Sequence, residues 1–228
     1  MINERRLVEL FLKYGQIDSE SRKEENFREV LEQDLRELGM EVTADEAGNL
    51  FFALDGDEKA EPLLFTAHMD TVVPGQSIRP VMENGVIKSG GDTVLGGDDK
   101  SGIAAIVEAI RVMKEEKIPH RRVEVLFSVD EEIGLNGSRA ADLGQVRSRY
   151  SIAMDGCGPM DEIVVNGAGQ ANVEIEITGV AAHAGNSPEK GVSAVIAAAD
   201  AVSAMKLLKV DEETTANIGT VTANSPAN

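Results

Sequence analysis

The stretch "LLFTAHMDTVV", residues 63–73, combines the pattern of a buried strand with a polar ending. Residues 63–65 are apolar strand formers, whereas His68 and Asp70 follow two positions apart near the far end. Alternate residues of a strand point to the same face, so the Asp70 carboxylate can orient and polarise the His68 imidazole. The stretch therefore predicts a strand that carries a functional pair of side chains at its carboxyl end.

Further strands and one long helix follow this stretch and indicate an α/β fold. Apolar residues recur with helical spacing from Ile103 to Met113, which predicts a helix that begins near Lys100. The stretches "RRVEVLFSVDEE" (121–132) and "YSIAMDG" (150–156) predict two more strands rich in aliphatic residues. Strand, helix and strand with short links are typical of a mostly parallel sheet covered by helices on both faces.

The two ends of the chain have different patterns. Helical spacing predicts helices over 3–14 and 23–38, and "MEVTADEAGNLFFAL" (40–54) predicts two strands around a turn. Later, "ANVEIEITG" (171–179) alternates apolar and polar residues like a half-exposed antiparallel strand, and an alanine-rich helix follows over about 191–208. We therefore predict an α/β domain over 1–167 and a smaller α+β domain over 168–228.

Composition and charge argue against several classes of partner. The chain has 40 acidic and 22 basic residues, and this formal net charge of −18 repels nucleic-acid phosphates and anionic lipids. It contains no apolar run of about 18 residues, and the charges in "MINERRLVEL" argue against a signal peptide. The single cysteine fits a reducing compartment. We expect a cytoplasmic protein without nucleic-acid or membrane partners.

Acidic residues cluster near the ends of the predicted strands. In a parallel sheet, ligands bind beyond the carboxyl ends of the strands, and carboxylates gathered there repel one another unless a cation is present. Zinc accepts histidine nitrogen and carboxylate oxygen, and two ions about 3.5 to 4 Å apart form a hydrolytic centre. The clusters that predict such a centre are His68 with Asp70, Asp98 with Asp99, Asp130 with Glu131 and Glu132, and Asp155.

Each cluster taken singly also has a structural interpretation. Asp98 and Asp99 suit the first turn of a helix, where the helix dipole favours negative charge. The acidic run at 130–132 is also typical of a solvated strand exit, and Asp155 with Gly156 is a common turn pair. Only the occurrence of all four on one α/β scaffold favours the metal site.

The residues of these motifs and their order along the chain resemble those of the co-catalytic zinc exopeptidases, the family of tripeptidase T, aminoacylases and carboxypeptidase G. The resemblance is closest to the peptidase T-like branch of that family. The resemblance covers nearly the whole chain. The motifs that carry it are "HMDTVVPG" (68–75), "TVLGGDDKSGIAA" (93–105), "VDEEIGLNG" (129–137), "AMDG" (153–156), "AAHAGNSPEKGVSA" (181–194) and "ETTANIG" (213–219).

The resemblance implies a role for each matching residue. His68 and Asp155 would hold one metal ion, Glu132 would hold a second, and Asp98 would bridge both. Glu131 would be the general base that takes a proton from water. The implied cofactor is a pair of zinc ions, with manganese or cobalt as alternatives.

The resemblance also implies a second-sphere residue, a lid residue and a characteristic backbone feature. Asp70 would be the partner of His68, and the peptide between Asp98 and Asp99 would be cis. His183 would reach the active site of a partner subunit, so that residues 168–228 form a lid and dimerisation domain of a homodimer.

The implied activity is metal-dependent hydrolysis of short peptides by a tripeptide aminopeptidase. Relatives take a further histidine ligand from near the end of a longer chain, whereas none of the three histidines here follows His183. We therefore expect the C-terminal part of the catalytic domain to be absent. Two alternatives to an active peptidase stay open, a catalytically impaired fragment and an acyl-amino-acid hydrolase of the same family.

Overall fold

A computed structural model describes residues 2–156, 158–159 and 161–224 of the chain. The chain divides into two compact units, Met1–Met160 and Asp161–Asn228. The functional division into a catalytic domain over 1–167 and a lid over 168–228 remains a prediction.

A five-stranded mixed sheet forms the centre of the first unit, in the order β1, β2, β6, β3, β7. β3 runs parallel to both β6 and β7, whereas β1 and β2 are antiparallel to their neighbours. A separate hairpin consists of β4 and β5. The mixed α/β fold is thus confirmed. The strands are β1 (Thr43–Ala44), β2 (Leu50–Leu54), β3 (Leu63–His68), β4 (Pro80–Glu83), β5 (Val86–Ser89), β6 (Val123–Ser128) and β7 (Ser151–Ala153).

Three helices pack in one hydrophobic cluster with one face of this sheet. They are α1 (Glu4–Gly15), α2 (Glu25–Glu37) and α3 (Gly97–Glu115), and the first two match the helices predicted over 3–14 and 23–38. Because alternate strand residues face the same side, Phe52 of β2 and Phe127 of β6 both enter this cluster, with ring centroids 5.6 Å apart.

The opposite face of the sheet is covered by shorter elements. There Phe51, Leu64 and Leu126 form a second cluster that packs against Ala141 and Val146. Ala141 directly follows helix α4 (Asn136–Ala140), and Val146 follows a 3-10 turn (Leu143–Gln145). Among the described residues, the long helices therefore belong to one face and short segments cover the other.

The second unit contains α5 (Ala194–Ala204), β8 (Leu208–Lys209) and β9 (Thr215–Ala216), and the two strands pair as a hairpin. The prediction of an antiparallel strand over 171–179 is wrong, because the structure has no strand there. Val173 and Ile175 are 80% and 59% exposed. A strand is stable only when it pairs with others, and within this unit the described residues offer 171–179 no partner strand.

A helix can cross a membrane only if it is both long and apolar. Within the part of the chain that the structure describes, no helix is both long enough and apolar enough to cross a bilayer.

Replacing Phe127 by alanine is expected to destabilise the first unit. Phe127 is fully buried on the central strand β6, so the substitution leaves a cavity and costs about 3 to 5 kcal/mol of unfolding free energy. Val86→Ala, on the exposed β4–β5 hairpin, is the control and should change the unfolding free energy by less than about 0.5 kcal/mol. Urea denaturation measures both, and equal midpoints for the two variants would contradict this description of the core.

Candidate metal centre

Three neighbouring parallel strands end at the same edge of the sheet and bring the predicted site residues together. His68 is the last residue of β3 and pairs in register with Ser128, the last residue of β6. Glu131 and Glu132 follow shortly after β6, and Asp155 follows shortly after β7. The parallel arrangement therefore delivers one histidine and three carboxylates to one edge.

The beginning of α3 adds a fourth carboxylate. Asp98 and Asp99 are joined by a cis peptide, as the resemblance implied, and both have non-helical backbone angles inside the helix. Gly102, in the next turn, permits close packing here, because a Cβ atom would lie 2.2 Å from Asp99 Oδ1 and 2.7 Å from Met154 Cβ. The start of α3 can thus approach the strand end that precedes Asp155.

The side chains converge on the imidazole of His68. Its Nε2 atom lies 3.0 Å from Asp98 Oδ1, 3.9 Å from Asp155 Oδ2 and 4.0 Å from Glu131 Oε2. Two groups could each hold a metal ion, with ligand atoms within 4.8 Å of one another. The groups are His68 with Glu131 and Asp155, and His68 with Asp98 and Glu132.

This grouping differs in two respects from the roles that the resemblance implied. All four predicted ligands are present, but His68, and not Asp98, is the residue that the two groups share. In addition, Glu131, the predicted base, is close enough to His68 and Asp155 to be a ligand as well. Measurements of metal content in Glu131 variants therefore distinguish the two roles.

The carboxylates repel one another and create a demand for positive charge. Burial, followed by the nearby negative charges, raises the pKa of Glu131, Glu132 and Asp155, although the charge of His68 opposes this shift. Burial raises the pKa of Asp99 to about 7, with Asp155 and Asp98 adding to the shift. A divalent cation would relieve this repulsion, so the donor set fits a metal ion.

The negative charges around His68 change the pKa of its imidazole. Its ring is 2% exposed, and burial alone would lower its pKa. The carboxylates of Asp70 and Asp98 outweigh burial and raise the pKa to about 10. The same arrangement that attracts a proton to Nε2 would attract a metal ion there.

Asp70 is fully buried, and its carboxylate has more than one role. His68 Nδ1 lies 2.9 Å from the Asp70 carbonyl oxygen and 3.4 Å from its Oδ1. The carboxylate accepts N–H bonds from Glu131 at 2.9 Å and Glu132 at 3.1 Å, and an O–H bond from Ser21 at 2.7 Å. Burial opposes ionisation of Asp70, but these hydrogen bonds and His68 hold its pKa below the ordinary value.

Sequence reasoning missed two residues that shape the site. Ser21 lies between two predicted helices and belongs to none of the motifs. Asn49 lies in the turn that was predicted between the two strands of residues 40–54, yet its buried side chain accepts from Val129 N at 3.0 Å and donates to Gly137 O at 2.9 Å. An asparagine that caps a distant strand has the same local sequence as one that makes a turn, so no signal separated the two.

His183 belongs to the second unit, where its side chain is exposed. Its Nδ1 atom accepts backbone N–H bonds from Gly185 and Asn186, both at 3.1 Å. The role that the resemblance assigns to it remains a prediction.

The chain is similar to known peptidases. Residues 49–203 match peptidase family M28. Peptidase T of Listeria monocytogenes is 30% identical over 83% of this chain and 57% of its own length. An uncharacterized protein of Bacillus subtilis, YqjE, is 46% identical over 96% of this chain and 61% of its own length.

Two solved structures resemble the whole chain. The aminopeptidase PepT of Bacillus cereus has a TM-score of 0.85 and 40% identity, over 100% of this chain and 63% of that one. A tripeptidase of Staphylococcus aureus has a TM-score of 0.84 and 35% identity, with the same coverage of 100% and 63%. The chain thus spans about three fifths of the length of these relatives.

Asp98→Ala is expected to weaken Zn²⁺ binding because it removes a carboxylate that lies beside His68 Nε2. Loss of an outer partner costs about 10- to 100-fold in metal affinity, so loss of a ligand should cost at least about tenfold. Asp92→Ala, at an exposed carboxylate of the preceding segment, is the matched control. Competition with a chelator gives both affinities, and equal values would refute the assignment of Asp98 as a ligand.

Proposed function

The chain belongs to peptidase family M28, and we propose on that premise that it forms the metal-dependent catalytic centre of a peptidase that cleaves short peptides. The observation that carries the proposal is the convergence of one histidine and four carboxylates at one sheet edge. The names of similar proteins, peptidase T, aminopeptidase PepT and a tripeptidase, favour tripeptides with a free amino terminus as substrates.

The residues that would hold the metal are His68, Asp98, Glu132 and Asp155. Their nitrogen and oxygen atoms are the donors that zinc accepts, and manganese or cobalt would accept the same set. A divalent ion held there supplies Lewis acidity, which lowers the pKa of water to about 7.

Glu131 is proposed as the general base. It stands within reach of the same edge, and burial together with the neighbouring carboxylates raises its pKa, which increases its affinity for a proton. It would take a proton from the attacking water and deliver it to the leaving nitrogen of the peptide. Asp70, which binds the Glu131 N–H, would keep this carboxylate in place during both transfers.

The second unit is proposed to act as a lid and dimerisation domain. Because His183 Nδ1 accepts two backbone N–H bonds, a neutral imidazole carries its proton on Nε2. That N–H would donate to a substrate carbonyl or to the oxyanion formed from it. In a homodimer, the site served by His183 would be that of the partner subunit.

Glu131→Ala is expected to reduce tripeptide hydrolysis by about 10²- to 10⁴-fold, the usual contribution of a general base, while bound zinc stays the same. Glu29→Ala, at an exposed glutamate of α2, is the control. Release of the N-terminal residue and elemental analysis measure the two quantities. If the Glu131 variant loses zinc together with activity, Glu131 is a ligand and the base assignment is wrong.

His183→Ala is expected to lower hydrolysis without changing zinc content, because the imidazole is proposed to contact substrate only. Mixing this variant with Glu131→Ala should restore part of the activity, since one site of a mixed dimer keeps both groups. Sedimentation velocity establishes whether two chains associate. A monomer, or a mixture that stays inactive, would contradict the proposed role across subunits.

A further inference from the structure

The link between α1 and α2 contacts the segments that carry the candidate ligands, although it supplies none of them. The link is defined as residues 17–24, and it touches the beginning of α3, the end of β3 and the end of β6. Its hydrogen bonds are Lys100 Nζ to Ile17 O at 2.5 Å, Thr71 N to Ser19 O at 2.9 Å, Ser21 Oγ to Asp70 Oδ2 at 2.7 Å and Asp130 N to Glu24 Oε1 at 3.0 Å.

The link is anchored by buried groups. Lys100 is fully buried, and its ammonium donates to Ile17 O at the beginning of the link. The same ammonium lies over the ring of Phe27 in α2, 4.7 Å from the ring centroid. Glu20 is also buried and accepts from Gly75 N at 3.0 Å and Gln76 Nε2 at 2.6 Å. Because these polar groups are satisfied inside the protein, the position of the link is strongly specified.

The backbone of Glu131 and Glu132 depends on Asp70. These residues lie beyond the last pair of the β6 ladder, so their N–H groups need acceptors outside the sheet. Asp70 supplies one oxygen to each, Oδ1 to Glu131 and Oδ2 to Glu132. A carboxylate held by both amides fixes the direction in which the two glutamate side chains leave the backbone.

Ser21 holds the oxygen of Asp70 that binds Glu132. The Ser21 hydroxyl donates to Oδ2 at 2.7 Å, the shortest of the three hydrogen bonds that this carboxylate accepts from Ser21, Glu131 and Glu132. Without it, Oδ2 keeps only the Glu132 amide among these donors, and the buried carboxylate can rotate away from the two amides.

We propose that Ser21 is a positioning residue which, through Asp70, fixes the backbone of Glu131 and Glu132. The metal-binding part of this inference rests on the proposed function. The positioning part rests on the hydrogen bonds alone.

Ser21→Ala, Ser21→Thr and Ser19→Ala test the inference in the 228-residue chain. Threonine keeps the hydroxyl. Ser19 is a matched control, since it lies in the same link, is fully buried, and has a hydroxyl with no hydrogen-bond partner among the described residues. Two quantities are measured, Zn²⁺ affinity by chelator competition and hydrogen exchange of the Glu131 and Glu132 amides in metal-free protein.

Ser21→Ala is expected to weaken Zn²⁺ affinity by about tenfold, because the outer partners of a metal site contribute about this much. It is also expected to accelerate exchange of the two amides, because the carboxylate that accepts their N–H groups loses one of its hydrogen bonds. Ser21→Thr should keep both quantities close to their values in the unaltered protein, and Ser19→Ala should leave both unchanged. A purely stabilising role for Ser21 would lower the unfolding midpoint without this selective effect on the two amides.

The two failures are distinguishable. If the unaltered protein binds no Zn²⁺, the proposed function fails, and the exchange rates still decide whether Ser21 positions the two amides. If the protein binds Zn²⁺ but Ser21→Ala matches it in affinity or in exchange, the inference is overturned.

Discussion

Parallel pairing of β3 with both β6 and β7 is the constraint on which the carboxylate cluster depends. Parallel strands have their carboxyl ends at the same edge of the sheet. Once the three strands are in register, His68, Glu131, Glu132 and Asp155 therefore lie close together. Ala67 of β3 and Phe127 of β6 are paired in register, and both lie in the hydrophobic cluster on the face that carries the long helices, which stabilises this register. A shift of one residue would turn His68 to the opposite face of the sheet.

Burial and mutual repulsion make the charged form of these carboxylates unfavourable, and the protein compensates for this in two ways. Asp70 is fully buried and stays ionised because three donors and His68 surround it. Among the described residues, Glu131, Glu132 and Asp155 have no such set of donors, and burial together with the neighbouring negative charges raises their pKa values. One part of the cluster is therefore structural and satisfied within the chain, while the other part is suited to a divalent cation.

Patterns of hydrophobicity predicted the first unit better than the second. Helices α1 to α3 and strands β2, β3, β6 and β7 appear close to where apolar periodicity placed them. In the stretch 171–179 the same alternation is present, but the described residues form no strand there. Alternation specifies which side chains share a face, whereas a strand also requires a partner ladder, and local sequence contains no information on that partner.

The sequence by itself determined the chemical identity and order of the site residues, since a histidine or acidic cluster follows each of three predicted strands and another begins the main helix. It did not determine which oxygen meets which donor. The Asp70 carboxylate was expected to serve His68, but it also binds two amides 61 and 62 positions away and a serine 49 positions away. Such contacts arise only when sheet register and the 17–24 link bring distant segments together, because hydrogen bonding acts over a few ångströms and local sequence does not encode that proximity.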